Sequence, residues 1–292
     1  PSSHPLSNIK IQSTNSNFME EKKFNYKLTS KSFEFWEYSK QQFYKTKEEI
    51  PIKNPSLVTA SLFKLFCGQE QVQLPEPIKK QKINYSKLTP IYTNKSIPLK
   101  DIIKLALEYS NNLIAELVIL KTARKLSRIP LTLKESSNLM IQWYKEKFKN
   151  LNFNNIQLIN GSGITPLNTI PIKLLIKLLP RILNFEINNI FFKSLLPISG
   201  FNSSIKKRLN HKILAQNVYA KTGSLDYVNN IAGYIITQSK RKLYFVASVI
   251  DHVKRSKIDK VNNSETKRLK IDAPKWKKHT DLLLTQFLLK LA

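Results

Sequence analysis

Ala220-Lys-Thr-Gly-Ser-Leu-Asp-Tyr-Val-Asn-Asn-Ile-Ala-Gly-Tyr234 reads as a strand, a turn and a second strand. Working outward, residues 218–225, 229–237 and 242–250 are three strand-like runs, and the last two flank a charged turn, 238–241, as a hairpin does. A basic loop over 252–270 is expected next. A closing helix over 276–291 follows, apolar at Leu282, Leu283, Phe287, Leu288 and Leu291.

Upstream, the apolar spacing turns helical. Leu57, Ala60, Leu62, Phe63 and Phe66 run to a stop at Gly68, and a polar link with Pro75, Pro77 and Pro90 follows. Pro98 opens a run with Ile102, Ile103, Leu105, Ala106 and Leu107. Ser110-Asn111-Asn112 breaks it before Leu113, Ile114, Leu117, Val118 and Leu120, so the stretch reads as helix, short turn, helix. A further amphipathic helix is expected over about 133–148, a short strand over 156–159 leading into the loop Asn160-Gly161-Ser162-Gly163, a helix over about 169–183, and a shorter one including 190–195. Residues 1–50 alternate instead, with Ile9 and Ile11, then Phe24, Tyr26 and Leu28, then Phe33 and Phe35, which argues for strands. Helices first, then an antiparallel sheet, then a terminal helix laid back on it define an α+β arrangement.

The chain of 292 residues, 41% hydrophobic and 23% charged, suits one sizeable domain or a domain plus a piece of another. No apolar run reaches the roughly 18 residues that span a bilayer, and residues 1–17 carry no apolar leader core. The single cysteine, Cys67, excludes an internal disulfide. His4, His211, His252 and His279 are scattered without metal-ligand spacing, so a metal site is not expected. Lys and Arg total 48 against 20 acids, a net charge of +28. A field of that size attracts polyanions, and a basic nucleic-acid-binding protein is the reading that charge alone favours. The excess is mostly lysine, spread along the chain with abundant Asn and Ile, which share A/T-rich codons. Nucleic-acid binders more often gather Arg and aromatics on one stripe, so specific nucleic-acid recognition is not expected.

Two short motifs carry chemistry: Ser110-Asn111-Asn112 between two helices, and Lys221-Thr222-Gly223-Ser224 at the start of the sheet region. Serine acyl-enzymes that recognise penicillin combine S-x-x-K, S-x-N and K-T-G. A serine that attacks an amide needs a base, which a lysine of lowered pKa provides. A second hydroxyl and a second lysine relay protons and hold charge. A threonine hydroxyl beside a cation grips a terminal carboxylate, and a glycine keeps the strand surface bare so that substrate backbone can lie along the edge.

With Asn160-Gly161-Ser162-Gly163 and Leu196-Pro-Ile-Ser-Gly200 between them, and 111 residues from Ser110 to Lys221, these motifs resemble the D-Ala-D-Ala carboxypeptidase/endopeptidase family of low-molecular-mass penicillin-binding proteins, the type with inserted domains. The resemblance runs from about Ile50 to Ala292. It implies a β-lactamase/transpeptidase-like fold, an antiparallel sheet flanked by helices, with residues 1–50 the tail of an inserted β-rich domain and 51–292 the C-terminal part of the catalytic domain. It implies that Ser110 relays a proton to the leaving amine, Asn112 hydrogen-bonds substrate backbone, Lys221 sets the positive potential, and Thr222, with Gly223 beside it, binds the terminal carboxylate. It implies too that the backbone N–H of Ser224 forms half of the oxyanion hole. Peptidoglycan stem peptides and β-lactams are the implied partners, without cofactor, in the periplasm or otherwise outside the cytoplasm.

The chain departs from the family's pattern at four places. Asn111 and Asn160 stand where Asp is common, and Pro166 where an arginine is usual. The fourth is the nucleophile. Ser61/Lys64 falls in a helix the family has for structural reasons, and the later Ser-x-x-Lys matches follow Ser110, in the wrong order. Ser7 with Lys10 has the right order but no apolar helix after it, so the nucleophile is expected upstream of this chain. The expected activity is a serine-type D-Ala-D-Ala carboxypeptidase, with endopeptidase action possible, working through an acyl-enzyme. A catalytically inactive fragment or pseudoenzyme is the alternative.

Overall fold

The computed structural model describes residues 9–14, 24–28, 34–39, 52, 54–78, 89–201, 203–209, 211–260 and 264–292. They fall into two units, Pro1–Thr93 and Asn94–Ala292. In the first, β1 (Ile9–Thr14), β2 (Phe24–Leu28) and β3 (Glu34–Ser39) form one sheet in the order β1-β3-β2. β1 runs parallel to β3 and β2 antiparallel to it, so the period-two alternation does mark strands. α1 (Pro55–Gln69) follows, with Pro55 in its first turn, where a missing N–H costs nothing.

The second unit begins with a helical hairpin. α2 (Leu99–Tyr109) ends on Ser110, whose left-handed backbone (φ 52°) turns the chain out of the helix. α3 (Asn112–Ser127) starts two residues later, because Asn111 accepts a hydrogen bond from the Ile114 N–H at 3.0 Å. The middle residue of Ser-Asn-Asn is thus a helix cap. Asp and Asn cap about equally well, so this departure from the pattern preserves the turn. α4 (Leu133–Lys147) opens on a reciprocal capping box between Thr132 and Glu135 and packs on α3.

Three sequence expectations change between Ile156 and Leu195. The expected strand over 156–159 is reduced to a single bridge between Gln157 and Thr169. Thr169 is held there by its backbone, so the next helix, α5 (Ile172–Leu183), starts after Pro171 and not at 169. The expected helix over 190–195 is a hairpin followed by a 3-10 turn: β4 (Glu186–Ile187) pairs with β5 (Ile190–Phe191), and Phe192–Leu195 coils after it. Asn188 and Asn189 both take positive φ between the strands, the conformation a two-residue hairpin requires and Asn tolerates.

The short α6 (Ser203–Arg208) leads to the main sheet, β6 (Val218–Leu225), β7 (Val228–Ile236) and β8 (Lys242–Ile250), antiparallel in that order. Its alternation fixes two cores. Val218, Ala220, Ile231 and Ile235 pack with Ile205, Leu209 and Leu214 and with Leu284 and Leu288 of the last helix. On the opposite face, Tyr234 packs with Leu183 and Leu196, and Tyr219 and Leu107 join them. Each fully buried leucine contributes roughly 1.5–3 kcal/mol by leaving water. Gly233 is required where it stands: a Cβ there would lie 2.0 Å from the Tyr219 carbonyl oxygen on β6.

The expected basic loop over 252–270 is helical instead, as α7 (His252–Lys260) and the first turns of α8 (Ser264–Leu291). The face that buries this part of α8 uses Thr266, Ala273 and Thr280 at a seven-residue repeat. Such small residues give no hydrophobic signal, and Pro274 inside the helix reads as a breaker.

Candidate active site

β6 is an edge strand of the main sheet, and which backbone groups it turns outward follows from its pairing. The Ala220 N–H donates to the Pro197 carbonyl and the Val218 carbonyl accepts from the Ser199 N–H, both away from β7. In an antiparallel ladder such groups alternate, so the N–H and C=O of Thr222 and Ser224 face outward too. Side chains alternate as well: Val218, Ala220, Thr222 and Ser224 point to the α8 face, and Tyr219 and Lys221 to the face that holds α2, which Gly223 leaves bare. Gly223 is exposed, and a Cβ added to it would meet no atom within 4 Å, so the sheet surface there is open.

Lys221 therefore reaches toward the α2–α3 turn. Its Nζ donates to the Ser110 Oγ at 2.5 Å and to the Thr222 carbonyl at 2.7 Å. Burial, with the nearby Arg208 charge added, lowers the Lys221 pKa from the ordinary lysine value. Ser110 lies at the last turn of α2 and Asn112 at the first of α3, both exposed. The two sequence motifs thus meet through a direct hydrogen bond, with Thr222, Gly223 and Ser224 in line along the edge strand.

The upstream pair Ser7/Lys10 does not fall on a helix among the described residues. Ser7 lies outside them, and Lys10 belongs to β1, an extended strand. A Ser-x-x-Lys nucleophile needs the one-turn spacing of a helix, which a strand does not provide. Ser61 and Lys64 do share a helix, α1, where Lys64 is paired with Glu76.

Two supports of the site went unnoticed in the sequence. The first is Glu116, one turn after Asn112 on α3. Its carboxylate accepts hydrogen bonds from the Gly161 N–H (3.0 Å), the Ser162 N–H (3.2 Å) and the Ser162 hydroxyl (2.5 Å). Gly161 permits the approach, since a Cβ would meet the Ala115 carbonyl at 2.9 Å. From the other side Asn168 accepts from the Ile159 N–H at 2.7 Å and donates to Asn160 Oδ1 at 2.8 Å. The loop 160–163 is thereby pinned to the helix that starts at Asn112. An acid inside the apolar run Leu-Ile-Ala-Glu-Leu of a lysine-rich chain was the available signal. The second support is a polar cluster of Arg208, Asn229, Thr280 and Asp281 on the α8 face of β6. Its signal was weaker, a lone acid in the apolar terminal helix.

Among the described residues no group of His, Cys, Asp and Glu side chains could hold a metal, and no helix is long and apolar enough to cross a membrane.

The model of the D-Ala-D-Ala carboxypeptidase 3 (S13) family matches residues 38–268, and the chain belongs to that family. Over 153 residues it is 30% identical to the D-alanyl-D-alanine carboxypeptidase DacB of Haemophilus influenzae, a match covering 52% of this chain and 31% of that protein. Two crystal structures of penicillin binding protein 4 (dacB) from the same organism are similar in fold. One, complexed with a β-lactam, gives a TM-score of 0.61 at 19% identity, over 93% of this chain and 63% of that one. The other gives 0.60 at 18%, over 95% and 61%. The chain thus spans less than two-thirds of the length of these relatives. The family and these folds agree with the α+β, transpeptidase-like arrangement read from the sequence.

Proposed function

We propose that this chain carries the substrate-holding and proton-relay half of a serine-type D-Ala-D-Ala carboxypeptidase, acting on peptidoglycan stem peptides outside the cytoplasm and open to β-lactams. In this reading residues 1–50 are the tail of an inserted β-rich domain, and 51–292 the C-terminal part of the catalytic domain. The observation that carries the proposal is the Lys221–Ser110 hydrogen bond beside an open strand edge.

The substrate's terminal D-Ala-D-Ala lies along β6 as an added strand, using the outward N–H and C=O groups of Ser224. Its carboxylate rests in the positive field of Lys221 against the Thr222 hydroxyl, and the bare surface at Gly223 gives the peptide room. Asn112 hydrogen-bonds its backbone. The nucleophilic serine comes from a Ser-x-x-Lys helix outside the described residues; its proton passes to the lysine of that pair as its oxygen attacks the penultimate carbonyl. Negative charge on the carbonyl oxygen is met by the Ser224 N–H and the nucleophile's own N–H. As the C–N bond breaks, the Ser110 hydroxyl gives its proton to the departing amine, and Lys221, already donating to Ser110 Oγ, restores it. Water then cleaves the ester, its hydroxyl joining the acyl carbon and its proton returning to the serine oxygen, and the proton taken up by the first lysine restores Lys221. Depression of the Lys221 pKa by burial and by Arg208 suits this donor, because it lowers the cost of giving up the proton near neutral pH.

Labelled penicillin tests the reading. The 292-residue chain, incubated and then denatured, is expected to retain no label. A polypeptide extended by the coding sequence upstream of Pro1 is expected to retain it on a new serine, and to lose most of the labelling rate on Ser110→Ala. No label in either form supports the alternative of an inactive member of the family. Label on Ser7 overturns the assignment of the nucleophile.

A further inference from the structure

The hairpin that presents the proposed oxyanion donor has a weak point in its own ladder. The N–H and C=O of Ser224 face outward, so Ser224 and its partner Asn229 form a pair without backbone hydrogen bonds. Beyond it one further pair, Leu225 with Val228, precedes the turn through Asp226 and Tyr227, and Tyr227 takes positive φ. With a single pair between it and the turn, this part of the ladder is held largely by its side chains.

Those side chains are held from α8. The Ser224 hydroxyl lies 3.2 Å from Asn229 Oδ1 and donates to it. Asn229 is completely buried. Its Oδ1 also accepts from the Arg208 guanidinium, and its Nδ2 donates to Thr280 Oγ1 and Asp281 Oδ1, each at 2.8 Å. Arg208, with only 6% of its side chain exposed, forms an ion pair with Asp281 at 2.6 Å, and Lys277 adds a second at 2.7 Å. Both atoms of the Asn229 amide group are thus engaged, so its orientation is fixed. A buried amide with this many partners is costly unless all are kept, which makes the cluster a rigid reference point. At the tip, the buried Tyr227 ring packs on Trp276 of α8 and its hydroxyl donates to the Leu269 carbonyl at 2.8 Å.

We propose that Asn229, braced by Arg208 and Asp281, is a positioning residue that holds the Ser224 hydroxyl on the α8 face and thereby keeps the Ser224 backbone N–H aimed at the cleft. The consequence for substrate rests on the function proposed above. The bracing itself does not, and the two are read separately.

The experiment is backbone NMR on the 292-residue chain and on Asn229→Ala, Ser224→Ala and the double variant. The order parameter of the Ser224 N–H is expected near about 0.85 in the unsubstituted chain and below about 0.6 in each variant. Ser224 is at the surface, so Ser224→Ala keeps the test open should Asn229→Ala fail to fold. Unchanged order at residue 224 in the folded Ser224→Ala chain overturns the proposal. Titration with an N-acyl-D-Ala-D-Ala peptide then supplies a double-mutant cycle. About a tenfold loss of affinity is expected in each single variant and no further loss in the double, because Asn229 acts through Ser224. Full additivity overturns the proposal. An unsubstituted chain that binds no peptide counts against the proposed function, while the order parameters still decide the bracing.

Discussion

Lys221 Nζ and Ser110 Oγ are hydrogen-bonded at 2.5 Å across 111 residues of sequence. The contact exists because of two local facts: the left-handed Ser110 that ends α2 and the odd-numbered face of β6 that carries Lys221. Each end can be tested alone. Ser110→Ala removes a surface hydroxyl and is expected to change stability by less than about 1 kcal/mol, while lowering the labelling rate of the extended polypeptide by roughly 100-fold or more, the range for a lost acid–base group. Equal losses of labelling and of melting temperature with foldedness would show a structural role instead.

The depressed Lys221 pKa gives a pH prediction with a definite sign. Its folded value lies below that of an unfolded lysine, with burial the larger cause and the Arg208 charge the second. Between the two values the unfolded chain binds the extra proton, so stability gains with rising pH there and the gain is complete above the unfolded value. Compared with Lys221→Met, the unsubstituted chain is therefore expected to improve as pH climbs through that window and to show a flat difference below it. Denaturant unfolding at a series of pH values measures this. A difference that shrinks with rising pH would mean that Lys221 is held in its charged form.

Glu116 is the anchor of the loop 160–163. Glu116→Ala leaves the Gly161 and Ser162 N–H groups and the Ser162 hydroxyl without their acceptor. Hydrogen bonds to a charged group contribute about 1.5–3 kcal/mol, less where water can replace the partner, so a loss of about 2 kcal/mol is expected. Glu116→Gln retains one acceptor oxygen and is expected to lose about half of that. Equal stability of the alanine variant and the unsubstituted chain in urea would contradict the anchoring.

What the sequence made legible follows from what each element buries. The main sheet was readable because Val218, Ala220, Ile231 and Ile235 alternate on one core-facing side. The α2–α3 turn was readable because Ser110-Asn111-Asn112 interrupts two apolar runs. The first turns of α8 were not, because Thr266 and Ala273 fill their buried side and Pro274 lies within. The β4–β5 hairpin was hidden for a different reason: Asn188-Asn189 was a two-residue turn signal within a chain crowded with Asn. At the site, the motif residues announced themselves by type, whereas Glu116, Arg208, Asn229 and Asp281 matter by partner. Partners 45 to 52 residues apart, such as Glu116 with Gly161 and Asn229 with Asp281, leave no local pattern.

Gly233 offers a check on the register that places Lys221. It lies opposite Ala220 on β6, and an added methyl would collide with the Tyr219 carbonyl oxygen at 2.0 Å and with Ala220 Cα at 2.6 Å. Neither is the movable end of a side chain, so β6 itself must shift. Gly233→Ala is expected to cost about 3 kcal/mol or more, at the upper end for overpacked sites, against almost nothing for Gly68→Ala in α1, where no atom lies within 4 Å. Circular dichroism melts of the two variants compare them directly. A well-folded Gly233→Ala chain of unchanged stability would mean that β6 and β7 pair in another register, and the site would have to be rebuilt.

The charge of +28 leads to the last prediction. Several basic side chains are engaged within the fold: Arg208 with Asp281, Arg255 with Asp259, and Lys257 with Glu265. The excess of positive charge, spread along the chain, gives a diffuse field, which attracts duplex DNA without reading its sequence. Binding measured by fluorescence anisotropy is expected to be independent of sequence. It is expected to fall by roughly a thousandfold or more between 50 and 200 mM salt, as counterion release dictates for six or more phosphate contacts. Base readout would need a side chain held in a groove, and its affinity would persist at physiological salt and differ between sequences by a factor that salt does not erase. Sequence-selective, sub-micromolar binding at physiological salt would therefore overturn the reading of the charge as compositional and revive nucleic acid as a partner.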